Sequence, residues 1–353
     1  MTSSFKNTQL VAFYPKPDRN PIFQSTIHPM IKSKKLNVIA YGITIFVICM
    51  TTGSARAQHL QWMQGGGSIG PMSSSVGPSV AVFNNRLFAA WKGYKDDQNI
   101  YWSSIDAQKP PTPYGGTWAP QQRIPNVSSS VGPALAVFNG KLFAAWKGYK
   151  DDQAIYWSSF DGANWAPQQR IPNVSSSVGP ALAVFNKKLF AAWKGYKNDE
   201  GIYWSTFDGT SWAPQQRIPG VGSSNGPALV SAFGGLLAAW KGIQGDPGIY
   251  YASFDGRAWS AQKNIHGAKT SGKPSLTMFN RVYAVWKGDN GDDTLYSSAY
   301  NGGPDWGGQV AVAGARTATG GAITAFGMNV YVVWRGAGDD QSLQYLGAFE
   351  VQP

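Results

Sequence analysis

The tripeptide Trp-Lys-Gly recurs along this chain at a nearly fixed interval. It stands at Trp91-Lys92-Gly93, Trp146-Lys147-Gly148, Trp193-Lys194-Gly195, Trp240-Lys241-Gly242 and Trp286-Lys287-Gly288, and a sixth copy, Trp334-Arg335-Gly336, keeps the positive charge. Successive tryptophans lie 55, 47, 47, 46 and 48 residues apart. A second series, Trp118, Trp165, Trp212, Trp259 and Trp306, keeps the same interval and follows Asp-Gly or a remnant of it. A period in this range, rich in aromatics and glycine, restricts the chain to a repeat architecture in which each unit buries its apolar face on its neighbours.

The clearest unit runs from Gly132 to Val178. Pro133–Phe138 is a short apolar run, and Asn139-Gly140 after it is a tight hairpin signal. Leu142–Trp146 reads as a second strand ended by Gly148, and Tyr149–Gln153 as a polar loop. Ile155–Phe160 is a third strand, turned by Asp161-Gly162. Trp165–Ile171 is a fourth, edge-like strand, where Pro167 is tolerated because an edge N–H need not pair. Four short antiparallel strands repeated radially predict an all-β fold, a β-propeller. Trp-Lys-Gly or its variant occurs six times, but the last copy lacks its Asp-Gly-x-x-Trp strand before the chain stops at Pro353. Leu60-Gln-Trp62 precedes Gly77-Pro78 much as Trp118 precedes Gly132-Pro133. The sequence therefore predicts six blades over residues 58–353, the last closed by the N-terminal strand.

Residues 1–57 read differently. Lys32, Lys34 and Lys35 precede an apolar run from Leu36 to Met50, followed by Ala55-Arg56-Ala57. This order describes a secretory signal peptide cut after Ala57, with a long basic region and Met30 as an alternative start. An uncleaved anchor is the rival reading. Cleavage makes the protein secreted or periplasmic and leaves no membrane contact. It also removes seven Lys/Arg and Asp18, so the net charge of +11 falls by 6 to +5. That excess is spread over the repeats rather than clustered, which argues against nucleic acid as a partner. The single cysteine, Cys49, lies in the leader, so the rest of the chain has neither disulfides nor a thiolate metal site.

Catalysis finds little support. Beyond the leader, the two histidines His59 and His266 and the two glutamates Glu200 and Glu350 stand outside the repeated pattern. A glycosidase needs a paired acid and base in a cleft. The carboxylates of the Asp151-Asp152 type are too few to hold Ca²⁺. No cofactor motif or metal-ligand spacing occurs. What does recur, on the face carrying the longer polar loops, is an aromatic beside cations. The lysine of Trp-Lys-Gly, the tryptophan of the third strand and the arginine closing the fourth are expected at one rim between adjacent blades. The candidates are Lys92, Trp102 and Arg123; Lys147, Trp157 and Arg170; Lys194, Trp204 and Arg217; and Tyr251 in the fourth unit. A sugar stacks its C–H face on indole and bonds its hydroxyls to such donors. The competing readings are packing for the tryptophans and a pairing of Lys147 with Asp151 or Asp152. Several weak sites on one rigid ring would gain avidity.

The aromatic strand ending near glycine, the Asp-containing hairpin, the Ile-led strand and Asp-Gly-x-x-Trp together resemble the six-bladed fucose-specific lectin propellers. The likeness to bacterial and tachylectin-like propellers with Trp-rich repeats is weaker. The resemblance implies non-catalytic glycan binding between blades. In those lectins an arginine of the second strand, a glutamate of the third and a neighbouring aromatic hold the sugar. Here the matching places are Phe88 and Trp102, and Phe143 and Trp157, so fucose specificity does not carry over. Ser159–Trp165 looks like the Asp-box of sialidases shortened by one residue, and that box is a structural turn. The expected function is a lectin-like, carbohydrate-binding propeller with glycans or glycoconjugates as partners. A protein-binding scaffold propeller and a sialidase-like hydrolase are the alternatives.

Overall fold

The computed structural model describes residues 60–106 and 117–351. The leader and its cleavage site lie outside the described residues. Six sheets form from the repeats, five of four strands and one of five. Blade 1 comprises Ser79–Phe83, Arg86–Lys92, Ile100–Asp106 and Gln122–Arg123, in that order from inside to outside. Blade 2 repeats the plan with Ala134–Phe138, Lys141–Lys147, Ile155–Phe160 and Gln169–Arg170. Every pairing within the blades is antiparallel, as short hairpins require.

The ring closes as the sequence predicts. Leu60–Trp62 pairs with the C-terminal strand Ser342–Glu350, with Leu60 opposite Glu350 and Trp62 opposite Ala348. Trp62 thus shares a sheet with Trp334. The next segment, Gly67–Ser73, continues along the same C-terminal strand and supplies the outer edge of blade 6. Burying this seam removes two exposed sheet edges, which would otherwise invite pairing with other chains.

The fourth strand differs from the expected continuous run. In blade 2 it is an isolated bridge between Phe160 and Trp165, then a short ladder at Gln169–Arg170. Pro167 between them has no N–H to give. Beyond the ladder the chain must turn towards the next blade, and in each of blades 1 to 5 one position has positive φ there. It is Asn126 (φ 56°) and Asn173 (φ 56°), then Gly220 (φ 68°), Gly267 (φ 74°) and Gly314 (φ 70°). Asparagine tolerates this region better than other residues with a side chain. The Asn-Val-Ser sequons are therefore explained by backbone geometry.

The core is divided among the six blade interfaces, one apolar cluster at each. Strand alternation sends the two faces of a blade to different neighbours. In blade 1, Phe88, Ala90, Ile100 and Trp102 pack on blade 2, whereas Leu87, Ala89, Trp91 and Ile105 pack on blade 6. The first-series tryptophans Trp91, Trp146, Trp193, Trp240 and Trp286 are completely buried, and alanines beside them let the blades approach.

Candidate functional site

Each residue of Trp-Lys-Gly has a distinct local task. Lys147 is 3% exposed, and its Nζ donates to Ser130 Oγ (3.1 Å), the Gly148 carbonyl (3.2 Å) and the Lys150 carbonyl (2.8 Å). Lys92 and Lys194 make the same three bonds. Burial holds all three ammonium groups below the usual lysine pKa, against the opposing pull of nearby carboxylates, aspartates for Lys92 and Lys147 and Glu200 with Asp199 for Lys194. An ammonium has three donors, so these lysines are saturated. They tie the loop after the second strand to the linker that enters the blade. The carbonyls and a serine hydroxyl take the place of the carboxylate partners considered for Lys147; in blade 5, Lys287 does reach Asp293 (3.2 Å).

The glycine makes room for an aspartate. A Cβ on Gly93, Gly148 or Gly195 would fall 2.4–2.5 Å from the carboxyl of Asp97, Asp152 or Asp199. That carboxylate accepts the Asn99 backbone N–H (3.0 Å) and the Tyr101 hydroxyl (2.8 Å) in blade 1. In blade 3 it accepts the Gly201 N–H (2.9 Å) and the Tyr203 hydroxyl (2.9 Å).

The third-strand aromatics are largely enclosed. Trp102 stacks on Phe88 with centroids 5.4 Å apart, Trp157 on Phe143 at 5.5 Å and Trp204 on Phe190 at 5.6 Å. Each also meets the next blade's phenylalanine and tryptophan, as Trp102 meets Phe160 (5.1 Å) and Trp165 (6.5 Å). Tyr251 takes the same place against Tyr300 and Trp306, and burial, reinforced by Tyr300, pushes its pKa up to about 12. The two positions that match the sugar-holding arginine and glutamate of the fucose lectins are thus filled by a stacked aromatic pair.

The expected grouping of lysine, tryptophan and arginine from one blade is corrected by register. Arg123, Arg170 and Arg217 are exposed and lie opposite Tyr101, Tyr156 and Tyr203, whereas Trp102, Trp157 and Trp204 lie opposite the preceding glutamines. Neighbouring residues of a strand face opposite sides. A blade's arginine therefore faces the preceding blade and its tryptophan the following one. A groove between two blades combines the tryptophan of the first with the arginine of the second. The lysines Lys92, Lys147 and Lys194 are sealed into the loops above.

One groove is open. Between blades 3 and 4 a cavity of about 280 Å³ is walled by Phe185, Phe190, Trp204 and Phe254 and edged by Asn186, Lys188, Thr206 and Gln216. Lys188 and Gln216 are exposed, and the Trp204 indole N–H has no partner within the protein. In the two grooves before it, Asn84 and Asn139 reach within 3.2 Å of where a Cβ would stand on Gly162 and Gly209. Over the equivalent Gly256 the nearest atoms belong to the Phe185 ring, at 3.6 Å. Sequence reasoning found Trp204 but not its polar neighbours. Their signal was the hairpin Asn186-Lys187, where the preceding repeat has Asn139-Gly140.

No protein-family model matches the sequence, and no curated protein matches it. Among solved structures the ring is similar to several lectins. AofleA from Arthrobotrys oligospora aligns with a TM-score of 0.60 at 12% identity, over 83% of this chain and 86% of its own. The Aleuria aurantia lectin, described as a six-bladed β-propeller with a novel fucose recognition mode, aligns at 0.57 and 12% identity, over 79% and 95%. SapL1, solved with α-methyl fucoside, aligns at 0.55 and 15% identity, over 81% and 98%. The likeness is one of fold and blade layout: a six-bladed propeller of the kind found in fucose-binding lectins.

Proposed function

We propose that this chain is a secreted or periplasmic propeller that binds carbohydrate between its blades without transforming it. The open groove between blades 3 and 4 carries the proposal. An aromatic wall with separate amide, hydroxyl and ammonium groups at its edge suits a ligand with one apolar face and several hydroxyls. Trp204 with Phe190 supplies the wall, and Lys188, Gln216 and Thr206 supply the directional contacts. Trp102, Trp157 and Tyr251 hold the corresponding places at the other blade interfaces, and Arg123, Arg170 and Arg217 stand exposed on the outer strands. No carboxylate lines the open cavity, so the acid and base required for glycoside hydrolysis are missing from it. The lectin neighbours support a glycan as the ligand class, and the basic, apolar and small-residue order of the leader supports export.

A glycan array probed with the protein and with Lys188→Ala/Gln216→Ala tests the reading. Both side chains are exposed, so the variant should fold normally and lose signal on the glycans the parent retains. An array on which the parent binds nothing, or equal binding by the variant, overturns it.

A further inference from the structure

Near-identical repeats make departures conspicuous, and a local rule broken without gain in stability is where function is to be sought. The neck of the central channel shows such a departure. Blades 1 to 4 enter their inner strands through Gly77-Pro78, Gly132-Pro133, Gly179-Pro180 and Gly226-Pro227. Blade 5 has Gly272-Lys273-Pro274, with lysine in the place of that glycine, and blade 6 has Thr319-Gly320-Gly321, with glycine in the place of the proline and Thr319 where blades 1 to 3 have Val76, Val131 and Val178. Both new side chains line the cavity at the channel mouth, which measures about 410 Å³.

Lys273 Nζ donates one hydrogen bond across the ring, to the Pro180 carbonyl at 2.9 Å. Two of its three protons remain. No aspartate or glutamate lines the cavity, and the other lysine there, Lys287, is already held by Asp293 and the Asp292 carbonyl. Desolvation depresses the Lys273 pKa to about 8. The side chain still borders open channel space, so water softens that effect. Thr319 Oγ1 is buried and has no partner. Ser79 and Ser275, which also line the mouth, accept backbone N–H groups of Leu135 (3.1 Å) and Ile323 (3.2 Å) and keep their own protons to donate. A cation without a counter-charge, in a cavity also lined by hydroxyls, is costly unless an anion joins it.

We propose that the channel mouth is a second ligand site, separate from the grooves between blades, which takes one small hydroxyl-bearing carboxylate per molecule. Lys273 holds the carboxylate, and Thr319, Ser79 and Ser275 hold hydroxyls. A monosaccharide acid has the right charge, donors and size for a cavity of this volume.

Isothermal titration with D-glucuronate, with D-glucose and with acetate tests this. Glucuronate should bind at one per chain, and glucose and acetate each at least about tenfold more weakly, since each lacks one half of the contacts. Lys273→Met should weaken glucuronate by about tenfold or more and Thr319→Val by several-fold. Lys188→Ala/Gln216→Ala should leave it unchanged, which separates this site from the groove. If Lys273→Met fails to fold, ¹³C-methyl-lysine NMR of the parent replaces it, and the Lys273 resonance should titrate higher with glucuronate present. Absence of saturable glucuronate binding overturns the proposal, as does binding indifferent to Lys273 or a Lys273 titration that glucuronate does not move.

Discussion

A Cβ placed on Gly148 would lie 2.4 Å from the carboxyl group of Asp152, and the same conflict recurs in every blade from Gly93 with Asp97 to Gly336 with Asp340. The glycine of Trp-Lys-Gly is therefore set by an aspartate four residues later. Gly148→Ala should destabilise the protein by roughly 1–3 kcal/mol, the usual cost of overpacking. Asp152→Ala alone should cost about 1 kcal/mol through the lost turn bond to the Ala154 N–H. The double variant should be less destabilised than the sum, because removing the carboxylate relieves the clash. Urea denaturation of the four proteins checks this, and strict additivity would show that the contact does not matter.

The lysine beside that glycine gives a prediction that separates stability from recognition. Lys147→Met leaves the Gly148 and Lys150 carbonyls and Ser130 without their shared donor. Unsatisfied buried groups cost about 1–3 kcal/mol, so the melting temperature should fall by several degrees. Glycan retention measured well below the melting temperature should stay at the parental level, since the ammonium is enclosed. A loss of retention with little change in stability would return Lys147 to the ligand site.

Fold and site were unequally legible for a physical reason. A repeat writes the same packing problem six times, and its solution, Trp146 or Trp193 completely buried between blades, follows from period and composition. Strand closure by Leu60–Trp62 followed from counting one missing complement. The site depends on strand register, and register decides which neighbours share a face. Tyr156 and Trp157 are adjacent in sequence, yet they face different blades, so a cluster assembled along the chain mixed the two sides. Lys147 was misplaced because its saturation by carbonyls is a property of loop conformation, set by the positive φ of Lys150 (49°). The open groove depends on where one ring, Phe185, lies over Gly256, and no residue type encodes that by itself.

Ring closure itself is open to test through the outer seam of blade 6. Trp62 is 9% exposed and packs in the cluster with Leu346 and Trp334. Trp62→Ala should cost about 3 kcal/mol, within the range for large-to-small changes in a core. Removing the chain up to Ser73 should do far more, because it strips two paired segments from Ser342–Glu350 and leaves that strand as a bare edge. Size-exclusion chromatography should then show association, and thermal unfolding should lose its single transition. A truncated protein that remains monomeric and melts like the parent would mean that blade 6 stands without its N-terminal strands.

Blade 6 is also clasped to blade 5 by an ionised cluster, and this clasp makes stability depend on pH. Glu350 is paired with Arg281 at 2.6 Å and accepts the Tyr283 hydroxyl at 2.8 Å and the Asn280 amide. Burial pushes its pKa up, but the bonds from Asn280 and Tyr283 and the charge of Arg281 outweigh this and hold it below the ordinary 4.5. A carboxylate whose folded pKa is depressed stabilises the fold above its unfolded pKa, and that contribution fades as pH falls through the folded value. The parent should therefore lose stability on going from about pH 5 to about pH 3 more steeply than Glu350→Gln. At neutral pH the variant should be less stable by roughly 2–3 kcal/mol, because it leaves the Arg281 guanidinium poorly paired. Tyr283→Phe should flatten the acid limb in part, since it removes one bond that favours the charged carboxylate. Equilibrium unfolding of the three proteins across this range decides the matter: parallel acid limbs would assign the pH dependence to other carboxylates, such as the turn aspartates Asp161 and Asp208, which two backbone N–H bonds each hold low.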